Sequence, residues 1–177
     1  MPHVRKQAGF TLVEILVVLV VIGVVVASIQ LNLFSDDTRR LRHEGERLAA
    51  LLTALADESV TSGQPLAVSF SSDGYSFWER SPNADAPNPA DRWRARPGDE
   101  LFSNREMPGE IQVAEVRIRQ RPISLTEKTP ERVVFSASGI HAPFTVLLAL
   151  GDLRVRVSSD ALGNLRVDDD DDVDADA

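Results

Sequence analysis

The sequence predicts an α+β fold in which one long N-terminal helix packs on antiparallel β-sheet. Three features predict it. Phe10 to Phe34 is an apolar run whose one charge is Glu14, long enough for a helix that crosses a bilayer. Leu41, Leu48, Leu51, Leu52, Leu55 and Val60 then recur at helical spacing opposite a charged face. From Leu66 onward, short runs rich in β-branched and aromatic residues are separated by Gly and Asp.

With 177 residues, 43% of them hydrophobic, the chain holds one ordinary domain with a core plus one membrane segment. The formal net charge of -8 is unevenly placed: residues 168–177 carry seven Asp and no Lys or Arg, which leaves the rest nearly neutral. A body without a basic surplus argues against the electrostatic grip on phosphates that nucleic-acid binding needs. The lack of cysteine removes disulfides, thiolate metal sites and a cysteine nucleophile together.

The first element is the apolar run. At roughly 1.5 Å per residue, a helix over residues 10–34 crosses a hydrocarbon core of about 30 Å with some tilt. His3, Arg5 and Lys6 precede it, and Asp36 and Asp37 follow. The positive-inside rule therefore puts the short N-terminus in the cytoplasm and the bulk of the chain outside, which in a Gram-negative cell means across the bacterial inner membrane in the periplasm. A plain signal anchor, or a secretory signal cut after Val25-Val26-Ala27, would use the same run. Neither explains Glu14, because an unpaired carboxylate in a bilayer costs at least a few kcal/mol.

Gly9-Phe10-Thr11-Leu12-Val13-Glu14, behind a short basic leader and ahead of a long Val/Leu/Ile run, resembles the class III signal of type IV pilins and type II secretion pseudopilins. The resemblance implies that a membrane-embedded prepilin peptidase removes residues 1–9 by cutting between Gly9 and Phe10, and that the new amine of Phe10 is then methylated. The helix is retained. Cleavage would leave a cationic amine beside the first unpartnered N–H groups of the helix, with Glu14 one turn further in. In a bundle of such helices Glu14 can meet the amine of a neighbouring subunit and set the axial register, each subunit offering one charge of each sign. It can also reach its own amine, four residues away on the same helix face.

The second element, over residues 35–63, is an amphipathic helix with Arg39, Arg40, Arg42, Glu44, Glu46, Arg47, Asp57 and Glu58 opposite the leucines. Ser35 or Asp36 can cap a renewed turn. No proline interrupts residues 10–64, so a bend would fall at Gly23, Gly45 or the polar patch near Ser35, and the helix should end before Gly63 and Pro65. Residues 64–167 read as strands. Leu66 to Phe70 and Tyr75 to Glu79 flank Asp73-Gly74, a hairpin signal. Further strands are expected at residues 111–119, 132–135, 144–150, 153–157 and 165–167, with Gly139, Gly151 and Gly163 at breaks.

Residues 81–99 hold Pro82, Pro87, Pro89 and Pro97 and read as a long exposed loop, of a length that is usually functional or disordered. Trp93 within it either contacts a partner or folds back on a sheet edge. The acidic segment 168–177 lacks the glycine turn and closing Glu of a calcium loop, and its like charges favour an extended, hydrated tail.

His3, His43 and His141 fall in leader, helix face and loop, and none belongs to a metal or triad pattern. No phosphate loop or nucleophile elbow is present, so the sequence points to a structural protein with no catalytic residues, cofactor or metal.

The soluble part narrows the resemblance. Leu41 to Leu52, Glu58, Gly63, the hairpin ending in Tyr75-Ser-Phe77, Val134 to Gly139, Pro143 to Leu148 and Gly163 to Val167 resemble the minor pseudopilin H (GspH) family of type II secretion. The resemblance implies a type IV pilin-like fold and assembly into the tip region of a periplasmic pseudopilus that exports folded proteins across the outer membrane. It implies as partners the other minor pseudopilins, the major pseudopilin, prepilin peptidase and the inner-membrane assembly platform, with no nucleic acid. The neighbouring reading is a type IV pilus minor pilin, acting in pilus assembly or DNA uptake. That reading would call for a basic, aromatic stripe, for which Arg92, Arg94, Arg96, Arg117, Arg119 and Arg121 are the available residues.

Overall fold

The computed structural model describes residues 12–82, 85–96, 100–126 and 131–169, with side chains 25–35 and 89–90 left out. The leader 1–9, Phe10 and the acidic segment beyond Asp169 lie outside the described residues. Cα packing divides the chain into two bodies, Met1–Thr38 and Arg39–Ala177.

A single helix, α1, is assigned over Leu12–Ser62. In the first body every described side chain from Leu12 to Val24 is exposed. In the second body Leu41, Leu48, Leu51, Leu52 and Leu55 are buried, as their spacing requires. Val60 departs from the expected stripe and is 50% exposed. Ser59 takes the buried position instead, because its hydroxyl donates toward the carbonyls of Phe135 and Gln64, each 2.9 Å away. Gly63, at φ +67°, ends the helix in the left-handed conformation that glycine adopts without steric cost.

The strands follow as β1 (Leu66–Ser71), β2 (Gly74–Arg80), β3 (Trp93–Ala95), β4 (Arg105–Glu106) and β5 (Gln112–Ile118). Then come β6 (Arg121–Pro122), β7 (Arg132–Phe135), β8 (Phe144–Leu150), β9 (Leu153–Ser159) and β10 (Leu165–Asp169). They build two antiparallel sheets. One runs β3-β2-β1-β7, with β4 also on β2, and the other runs β10-β9-β8-β5-β6. The α1 leucines meet the inner faces of both in one core that includes Val68, Phe77, Val116, Val133, Phe135, Val146, Leu148 and Val157.

Four differences from the sequence reading have local causes. The β1–β2 turn centres on Ser72-Asp73, and Gly74 opens β2, where a Cβ would stand 2.2 Å from the Arg105 carbonyl oxygen of β4. The stretch expected as one long loop contains a 3-10 turn, Pro89–Arg92, and β3, which pairs Arg80 with Trp93 and Trp78 with Ala95. Trp93 thus folds back on the sheet edge, with the Arg80 guanidinium 5.6 Å from its ring centroid. The β5–β6 hairpin turns on Arg119 (φ 51°) and Gln120 (φ 68°), two non-glycine residues in left-handed conformation. Finally, β10 runs two residues into the acidic segment, pairing Asp168 with Arg156 and Asp169 with Val155, and Arg42 Nη1 of α1 lies 2.9 Å from Asp169 Oδ2.

Candidate functional site

Glu14 is the one sequence-derived site residue that the structure describes; Gly9 and Phe10 lie outside the described residues. Glu14 stands in the first turn of α1 with its side chain exposed. Around it Leu12, Val13, Ile15 and Leu16 are 81, 68, 49 and 55% exposed, and Leu19 and Val20 are as open. A helix that is apolar on all sides and buried by nothing in its own body needs an apolar surrounding, either lipid or other helices. Among the described residues no helix segment is long and apolar enough to cross a membrane. The run expected to do so, residues 10–34, extends past the described side chains at both ends.

In the second body the polar groups with most structure around them centre on His141. Its ring is 7% exposed, and lies 4.9 Å from that of Phe135 and 5.8 Å from that of Phe144. Nε2 is 2.9 Å from Ser159 Oγ. Burial lowers the imidazole pKa, with Asp160 opposing. The Asp160 carboxylate instead accepts from Asn164 Nδ2 at 2.7 Å and from the N–H groups of Leu162 and Asn164 at 2.8 and 3.0 Å, and these bonds, led by the Asn164 side chain, lower its pKa. The Asp160 carboxylate is thus held by its own turn while the imidazole bonds Ser159, so histidine, serine and aspartate here do not form a relay. The His141–Ser159 bond ties the loop between β7 and β8 to the end of β9, and Asp160 closes the turn between β9 and β10. Among the described residues no three His, Asp or Glu side chains group closely enough to hold a metal ion.

The six arginines available for a basic stripe are not assembled into one. Arg94 belongs to β3 and is engaged by Glu79; Arg92 donates to the Ala86 carbonyl at 2.7 Å. Arg96 lies over the Phe102 ring at 5.1 Å. Arg117 and Arg121 sit in the other sheet, paired with Glu115 at 2.9 Å and Glu131 at 2.5 Å, with Arg119 in the turn between them.

Two family models match the chain: the prokaryotic N-terminal methylation motif over residues 4–29, and type II transport protein GspH over residues 44–163. Type II secretion system protein H of Aeromonas hydrophila is 26% identical over 180 residues, covering 92% of this chain and 94% of the relative. The solution structure of GspH from Escherichia coli superposes with a TM-score of 0.61 at 21% identity, covering 77% of this chain and 92% of that one. The minor pseudopilin EpsH from the type 2 secretion system of Vibrio cholerae gives a TM-score of 0.54 at 18% identity, with 73% and 97% covered. These two likenesses establish a pilin-like α+β fold.

Proposed function

The chain belongs to the type II transport protein GspH family, the minor pseudopilins of type II secretion, and from that premise we propose how it works. Prepilin peptidase cuts between Gly9 and Phe10, the Phe10 amine is methylated, and the mature chain is held in the inner membrane by residues 10–34 with its β-rich body in the periplasm. It then assembles with other pseudopilus components through its apolar helix, near the filament tip, in the machine that passes folded proteins across the outer membrane. Its role is structural, and it carries no catalysis of its own.

The observation that carries this reading is the helix from Leu12 to Val24, exposed and apolar all round, with Glu14 as its lone charge, inside the matched N-terminal methylation motif over residues 4–29. Burial of such a helix among others stabilises by about 25 cal/mol per Å² of apolar surface, without regard to register. The Glu14 carboxylate adds direction, because only one axial stagger brings it to a neighbour's N-terminal amine. The family match does not favour the type IV pilus reading.

Removing the charge tests this. Glu14→Ala should still be cleaved, yet enter the pseudopilus at less than about a tenth of the wild-type level, the loss expected for about 1.4 kcal/mol or more of register energy. Incorporation at the wild-type level would contradict the assignment.

A further inference from the structure

We propose that the end of the β-rich body around the loop 136–143 is a docking surface for a different subunit of the pseudopilus, one that offers an apolar segment flanked by a carboxylate. This rests on the filament reading above. Among the described residues of the second body, the exposed large hydrophobic side chains Val60 (50%), Val134 (39%), Ile140 (64%) and Leu162 (78%) line two recesses that share His141, and only Leu101 lies elsewhere. One recess, about 210 Å³, holds Val60 and Leu162 with Gly139 between. The other, about 590 Å³, holds Val134 and Ile140 with Pro143. Apolar side chains scattered singly on a surface need no explanation, but a group of them around one loop marks an interaction site.

The loop is built to display Ile140. Gly139 turns at φ +77° with its N–H on the Ser136 carbonyl, 3.0 Å away, and His141 is plugged between Phe135 and Phe144 and tied to Ser159. The isoleucine between these two fixed points is left in solvent. Such a preformed anchor loses little conformational entropy when a partner covers it.

Charge picks the partner. Arg119 lines the wider recess from the strained β5–β6 turn, and among the described residues it pairs with no carboxylate, whereas Arg117 and Arg121 beside it are both paired. Left-handed non-glycine residues are kept where the surroundings over-determine them, often at binding elements. Asp57 stands at the far recess. A cation at one end and an anion at the other fix the orientation of what docks between them. A minor component of a filament has mostly other subunits as neighbours, and such contacts join unlike surfaces.

The test uses the full-length chain at native level in cells carrying the secretion system, with benzoylphenylalanine placed at Ile140, at Leu162 and, as a control, at Gln112. Irradiation is expected to join the first two positions, and not Gln112, to another pseudopilin identified by mass spectrometry. Arg119→Glu should cut the yield at least tenfold, and Arg119→Lys should keep it. The proposal is overturned by no adduct, by an adduct with a second copy or an exported protein, by an equal yield at Gln112, or by a yield unchanged in Arg119→Glu. If adducts fail while the N-terminus is cut and export continues, the docking surface is wrong and the filament reading stands. An uncut N-terminus with no pseudopilin adduct at any position removes both.

Discussion

Gly45 of α1 lies against Val155 of β9 so closely that a Cβ at position 45 would stand 2.8 Å from Val155 Cγ1, and 3.3 Å from Val167 Cγ1 of β10. Glycine in a helix interior costs about 1 kcal/mol relative to alanine, so its presence here is explained by the approach of helix to sheet. Gly45→Ala is expected to lose roughly 1–2 kcal/mol of stability, the overpacking cost exceeding the propensity gain. Urea unfolding of the full chain in detergent micelles measures this, and a stabilised variant would show that the valines move aside freely.

Ser59 joins the last turn of α1 to β7 through its bond to the Phe135 carbonyl. Ser59→Ala leaves that buried acceptor without its donor and should cost about 1–3 kcal/mol in the same unfolding measurement. Ser59→Thr, which keeps the hydroxyl, should recover part of the loss.

The Arg119-Gln120 turn has the backbone of a type I′ hairpin, whose second central position favours glycine. Gln120→Gly is expected to raise stability by about 1 kcal/mol, the relief of the left-handed strain. A drop in the unfolding midpoint would mean that the Gln120 side chain holds the hairpin.

His141 gives a pH dependence of fixed sign. Burial depresses its pKa in the folded chain, so the unfolded chain takes up the proton first as pH falls. The contribution of the neutral imidazole is therefore complete above about pH 6.5, the ordinary histidine value, and declines as pH falls from there toward the depressed folded value. Asp160, whose carboxyl pKa is lowered from an already acidic value, adds its own loss only at more acidic pH. Thermal unfolding between pH 7.5 and 5.5 should fall more steeply for wild type than for His141→Asn. Parallel slopes would contradict the assignment.

The legible parts of this fold were those where one residue type repeats with a period. The leucines of α1 sit where their spacing puts them, and β7 and β8 run over Arg132–Phe135 and Phe144–Leu150 as the alternation indicates. β3, β4 and β6 carry no such signal, since two- or three-residue edge strands are made by pairing with β2 or β5 rather than by propensity. The Arg119-Gln120 turn was hidden because hairpin rules look for Asn-Gly. His141 read as an ordinary loop histidine, because nothing local announces that Phe135, Phe144 and Ser159 close around it. At the N-terminus the reverse holds: the Gly9-Phe10 junction and Glu14 are marked by motif alone.

The mature N-terminus of the protein purified from its own membranes, read by mass spectrometry, tests the central proposal most directly. A chain that starts at Phe10 and bears one methyl group on its amine is the expected result. An intact leader, an unmethylated Phe10, or a start after Ala27 would contradict it.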